Sequence, residues 1–100
     1  MNALALTSPE RLGGRPLLDV RQADEYAAGH IPGALHVPLG SLPDRAGDVP
    51  AGPVAVMCGH GERATTAASL LAARGHRDVA VVTGGPADWS AATGEPLATS

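Results

Sequence analysis

Apolar residues in this chain come in short unbroken runs, and each run gives way to turn-forming or helix-forming residues. The runs at 4–6, 16–20, 35–37, 53–57 and 78–82 read as strands, the first a short edge strand. They are continuous rather than alternating, which is the pattern of strands covered on both faces. Ser8-Pro9-Glu10 is a helix start, with Ser as cap and Pro at the first helical position, and Gly13-Gly14 ends that helix. Residues 22–28 read as a helix closed by Gly29. Ile31-Pro32-Gly33-Ala34 is turn chemistry, and 40–46 hold one helical turn. The Ala-rich stretch 64–74 is the clearest helix, and Gly84-Gly85-Pro86 breaks the chain before another at about 87–92. Residues 94–100 read as a tail.

Strands that alternate with helices define an α/β domain built on a parallel sheet, flanked by helices in three layers. One hundred residues make one domain, here 1–100, with a core over about 4–93 and the tail at 94–100.

Composition narrows the function. Hydrophobic residues make up 44% and charged residues 17%, enough apolar material for a core. The net charge is −3, there is no Lys, and the arginines are scattered, so no basic surface for nucleic acid is expected. No run approaches the length of a membrane span. A single Cys forms no internal disulfide and does not point to an oxidising compartment, which leaves a cytoplasmic protein as the expectation. Four His and one Cys without metal-ligand spacing predict no metal and no cofactor.

That single cysteine, Cys58, ends the strand at 53–57. It opens a six-residue loop, Cys58-Gly59-His60-Gly61-Glu62-Arg63, which runs into the Ala-rich helix. A thiol at the first loop position faces the loop's backbone N–H groups and the positive end of a helix, a setting that favours thiolate. The bland alternative is a buried structural cysteine. Gly59 and Gly61 carry little bulk, so the loop can turn its N–H groups inward as an anion cradle, and Arg63 adds a planar cation suited to an oxyanion. A second strand ends at Asp19, Val20 and Arg21, and ligands in open α/β sheets bind at such carboxyl ends. Asp19 is read either as pocket electrostatics or as an ion pair with Arg21. His60 either gates the loop or faces solvent. His30 fixes the turn at 29–33, His36 and His76 are surface or helix-end residues, and Trp89 packs its helix on the sheet.

Four segments in register resemble the rhodanese-like domain: Leu18-Asp19-Val20-Arg21, Gly29-His30-Ile31-Pro32-Gly33-Ala34, Cys58-Gly59-His60-Gly61-Glu62-Arg63 and Gly84-Gly85-Pro86-Ala87-Asp88-Trp89. Residues 57–89 are also similar to rhodanese modules fused to metallo-β-lactamase-fold hydrolases. The resemblance implies a five-stranded, mainly parallel sheet and sulfurtransferase chemistry. In that chemistry Cys58 takes a sulfane sulfur from thiosulfate or a persulfide and passes it to a thiol, to cyanide or to an acceptor protein. The substrate-binding loop would be Gly59, His60, Gly61, Glu62 and Arg63, with Asp19 and Arg21 supporting the pocket. Related phosphatases carry a longer loop; the four residues between Cys58 and Arg63 suit a sulfur atom better than a phosphoryl group. Ala64 replaces a common Ser or Thr, and Glu62 puts a carboxylate in the loop, which opposes a dianionic donor. A carrier or regulatory module working with a partner enzyme is the alternative implied.

Overall fold

The structure, a computed structural model, describes residues 5–12, 14–59, 61–76 and 78–99. Five strands form one sheet: β1 (Ala5–Thr7), β2 (Leu17–Asp19), β3 (Leu35–His36), β4 (Val54–Met57) and β5 (Val79–Val82). Their order is β1-β5-β4-β2-β3, and every pairing is parallel. Four α-helices join them: α1 (Ala23–Ala28), α2 (Leu42–Arg45), α3 (Glu62–Ala73) and α4 (Pro86–Thr93). Short 3-10 turns cover Pro9–Arg11, Leu39–Ser41 and Ala46–Asp48.

The continuous apolar runs arise because the central strands are covered twice. Along β4, Val54 and Val56 enter one cluster while Ala55 and Met57 enter the other, as the two-residue repeat of a strand requires. On the first face lie α2 and α3. Ala64, Ala67, Ala68 and Leu71 form the buried stripe of α3, one side of a helix at its 3.6-residue period. Three alanines in that stripe let the helix backbone approach the valines of β4 and β5 closely, which is how a chain without Phe fills its core. On the second face Leu12, Ala34, Trp89 and Leu97 close over Leu17, Ile31, Met57 and Val82.

Several local expectations change. Ser8 precedes the turn at Pro9–Arg11 but its side chain makes no capping bond; its carbonyl accepts from the Arg11 N–H instead. The helix after Cys58 starts at Glu62, so Glu62 and Arg63 belong to its first turn rather than to the loop. Gly61 makes that early start possible: its φ of +100° is left-handed backbone, which a side chain would strain. His36 is half-buried rather than an unattached surface residue. It stacks on Tyr26 at 4.2 Å and bonds the Arg21 carbonyl at 2.8 Å, while His30 stacks on the same ring at 3.7 Å. The segment after α4 returns to the body: Ala98 exchanges two backbone hydrogen bonds with His30, and Leu97 packs into the second cluster. Leu4, Gly13, Arg77 and Ser100, which fall within the strand, turn, arginine and tail readings above, lie outside the described residues.

Candidate active site

The adjacent carboxyl ends of β2 and β4 define the site, with Asp19 paired in register to Met57. Cys58 follows directly, and its residue is only 1% exposed. Its Sγ accepts the Gly61 N–H at 3.0 Å and the Ala64 N–H at 3.4 Å. The sulfur therefore lies over the N-terminal turn of α3, where unpaired N–H groups and the helix dipole stabilise negative charge. The loop glycines and the cysteine come together as the sequence predicts; His60 lies outside the described residues.

Gly85 presses on the loop from the β5–α4 turn. A Cβ there would stand 2.9 Å from the Gly59 carbonyl oxygen and 3.1 Å from that of Cys58. Only a residue without a side chain lets the two segments touch. Asp88, one turn into α4, accepts the Gly85 N–H at 2.8 Å and so holds this contact in place.

Asp19 and Arg21 are buried and paired through two forks of the guanidinium: Nε to Oδ1 at 3.0 Å and Nη2 to Oδ2 at 2.9 Å. Arg21 Nη2 also donates to the Gly29 carbonyl at 2.8 Å, which ties the end of β2 to the end of α1. Of the two readings of Asp19, the ion pair is the one present.

Arg63 differs from expectation. Its fork does not stand open to an anion: Nη1 and Nη2 donate to Glu25 Oε1 and Oε2 at 2.6 and 3.1 Å. Glu25 Oε1 also accepts the Gln22 N–H at 3.0 Å. The Arg63 hydrogen bonds, and then that backbone bond, hold the Glu25 carboxyl well below its ordinary 4.5, at about 2. The same pairing raises the pKa of Arg63. Glu62 is exposed at the start of α3; the carboxylate against Arg63 belongs to Glu25.

Beside the loop opens a cleft of about 440 Å³, walled by Gly59, Gly85, Glu25, Asp88, Pro86 and Leu97 among others. Of the cleft residues, Glu25 and Leu97 carry no reading in the sequence, and Asp88 stands there only as part of the fourth motif, with no role assigned. The capping spacing from Gln22 to Glu25 is visible in the sequence, but it marks a helix start and says nothing about Arg63. Among the described residues no group of three or more His, Cys, Asp or Glu could hold a metal. No helix among them is long and apolar enough to cross a membrane.

A parallel α/β sheet with a cysteine at a strand end, its sulfur held by the following helix, is the architecture of the rhodanese class. The chain belongs to the rhodanese-like domain family, whose pattern it matches over residues 5–92. It is 42% identical over 78 residues to the thiosulfate sulfurtransferase GlpE of Pseudomonas fluorescens, an alignment covering 76% of this chain and 71% of that one. It is 36% identical over 78 residues to a candidate sulfur carrier protein of Bacillus subtilis, YrkF, with 77% of this chain aligned. The chain spans only 42% of the length of YrkF. The solved rhodanese-like domain of the Alr3790 protein from Anabaena superimposes with a TM-score of 0.83 at 28% identity, covering 98% of this chain and 81% of that one.

Proposed function

We propose that this chain transfers a sulfane sulfur from a donor to a thiophilic acceptor through a persulfide on Cys58. The observation that carries the reading is the Cys58 sulfur held 3.0 Å from the Gly61 N–H at the start of α3. The family and its relatives named for thiosulfate sulfur transfer and sulfur carriage support it.

The Cys58 thiolate attacks the outer sulfur of the donor. With thiosulfate, the S–S bond breaks, sulfite leaves with the electron pair, and Cys58 carries a persulfide. A thiolate or cyanide then attacks that outer sulfur and the Cys58 thiolate leaves, a two-step covalent route. In this reading Gly59, His60, Gly61 and Glu62 are the substrate-binding segment, the Gly61 and Ala64 N–H groups stabilise the charge on the sulfur, Arg63 stands beside it in the first turn of α3, and Asp19 with Arg21 holds the neighbouring strand end. The substrates are a small sulfur donor and a thiol or cyanide acceptor, with an acceptor protein as a further partner. No cofactor enters this scheme.

The test is mass spectrometry after loading with thiosulfate or a persulfide. One added sulfur on Cys58 is expected, and none on a folded Cys58→Ser variant. Sulfur transfer retained by the serine variant would sink the proposal. Similarity to YrkF favours a second reading, a carrier that loads but does not turn over with small acceptors. Loading without steady-state thiocyanate formation from cyanide is the result that selects it.

A further inference from the structure

The cleft reaches the site at Gly59, the residue after Cys58, so its walls bear on which donor approaches the loop. Among the described residues the charged side chains there are Arg21, Glu25 and Asp88. Arg21 is neutralised by Asp19, and Glu25 and Arg63 neutralise each other. Among the described residues no cation pairs with Asp88, whose Oδ2 accepts the Gly85 N–H, so two closed ion pairs and this one carboxylate leave the formal charge of these side chains at −1. The rest of the wall includes Ala28, Pro86, Ala87 and Leu97, which are apolar. A volume of about 440 Å³ is in the range of clefts for organic ligands and far exceeds what thiosulfate fills. Among the described residues Arg63 is the flexible cation beside the loop, and both ends of its fork are bonded to the Glu25 carboxylate, whose pKa of about 2 keeps it ionised near neutral pH.

We propose that the cleft selects an organic persulfide with an apolar or cationic body over thiosulfate, and that Glu25 is the residue that sets this preference. The inference rests on the sulfurtransferase reading and names its donor class. In the loading step the Cys58 thiolate bonds to the outer sulfur of R–S–SH and the S–S bond breaks. R–S⁻ leaves with the electron pair and takes a proton from water, and Cys58 carries –S–SH. The carbon body of the donor lies on Ala28, Pro86, Ala87 and Leu97, and a cationic end meets Asp88. Thiosulfate brings two negative charges to the same place and gains neither contact.

Three donors test this: cysteamine persulfide, 3-mercaptopropionate persulfide of similar size and opposite charge, and thiosulfate. Initial rates of sulfur addition to Cys58 are read by mass spectrometry. Cysteamine persulfide is expected to exceed thiosulfate in kcat/KM by about tenfold or more, the size of one unit charge acting at short range in a partly exposed site. The 3-mercaptopropionate donor falls between them. Glu25→Gln should lower the KM for thiosulfate by a similar factor, with kcat changing by less than about twofold. A purely structural role for Glu25 would instead lower kcat for all three donors together. Salt gives a readout on the unaltered protein. Between about 0.01 and 0.1 M salt the thiosulfate KM should fall, because the screening length shortens from roughly 30 to 10 Å. Thiosulfate loading as efficient as cysteamine persulfide, or a thiosulfate KM unmoved in Glu25→Gln, overturns the proposal. Sulfur addition from none of the donors overturns the sulfurtransferase reading itself, and this preference with it.

Discussion

Glu25 in the first turn of α1 grips Arg63 in the first turn of α3, 2.6 Å apart across 38 residues of sequence. The pair joins the helix after β2 to the helix after the cysteine loop. It also decides how much positive charge that loop shows to a substrate.

Replacing Arg63 by Ala leaves Glu25 unpaired at the cleft. The KM for thiosulfate should then rise about tenfold, because a carboxylate is exposed and a cation is lost, while kcat holds. Steady-state kinetics check this. A fall in kcat at constant KM would give Arg63 a different role.

The same pair makes stability depend on pH. The Glu25 carboxyl sits at about 2 in the folded protein and ordinarily at 4.5, so the native state binds fewer protons in that range. Its stabilising contribution is complete above about pH 4.5 and disappears as the pH falls to about 2. Both side chains are about a third exposed, at 34% and 36%, which limits the effect to about 1 kcal/mol or less. Melting curves of the parent and Glu25→Gln should converge over that acidic window. A constant gap would show that the pair contributes nothing to the fold.

Asp19 and Arg21 are a different case, because both are buried. Arg21→Leu leaves the Asp19 carboxylate uncompensated and should cost about 3 kcal/mol or more. For a domain of this size that lowers Tm by more than about 10 °C. Calorimetry reads it, and adding Asp19→Leu should recover part of the loss. Equal stability of the parent and the single variant would mean that the pair does not hold β2 to α1.

Gly85→Ala tests the contact behind the cysteine loop. The new methyl would meet the Gly59 and Cys58 carbonyl oxygens at 2.9 and 3.1 Å, so the loop must shift. A stability loss of about 1–2 kcal/mol is expected, as for overpacking elsewhere. Sulfur loading of Cys58 should fall more than stability does, because the shift falls on the loop that positions the thiol. Unchanged loading kinetics would show that the loop tolerates the displacement.

Much of this was present in the order of residues. The unbroken runs around Leu18, Val56 and Val81 can be buried on both faces only in a covered parallel sheet, and all five strands lie within a residue of where the runs place them. Cys58 at a strand end, followed by two glycines, is a local pattern, and local backbone geometry is enough to bring Gly61 N–H to its sulfur. The start of α3 was misplaced because Gly61 reads as loop, although a single left-handed glycine can also open a helix.

What the sequence by itself determined, then, is a parallel α/β domain with its cysteine loop at the carboxyl end of the central strand. Tertiary structure decided the state of that loop's charge. Glu25, Asp88 and Leu97 come from three separate helices and segments, and no spacing along the chain relates them to Cys58 or Arg63. Only the packing of α1, α4 and the returning 94–98 segment around the strand ends sets two carboxylates and an apolar wall there. Electrostatic interaction depends on distance in space rather than in sequence. Whether Arg63 was free or neutralised therefore became visible only once the chain had folded.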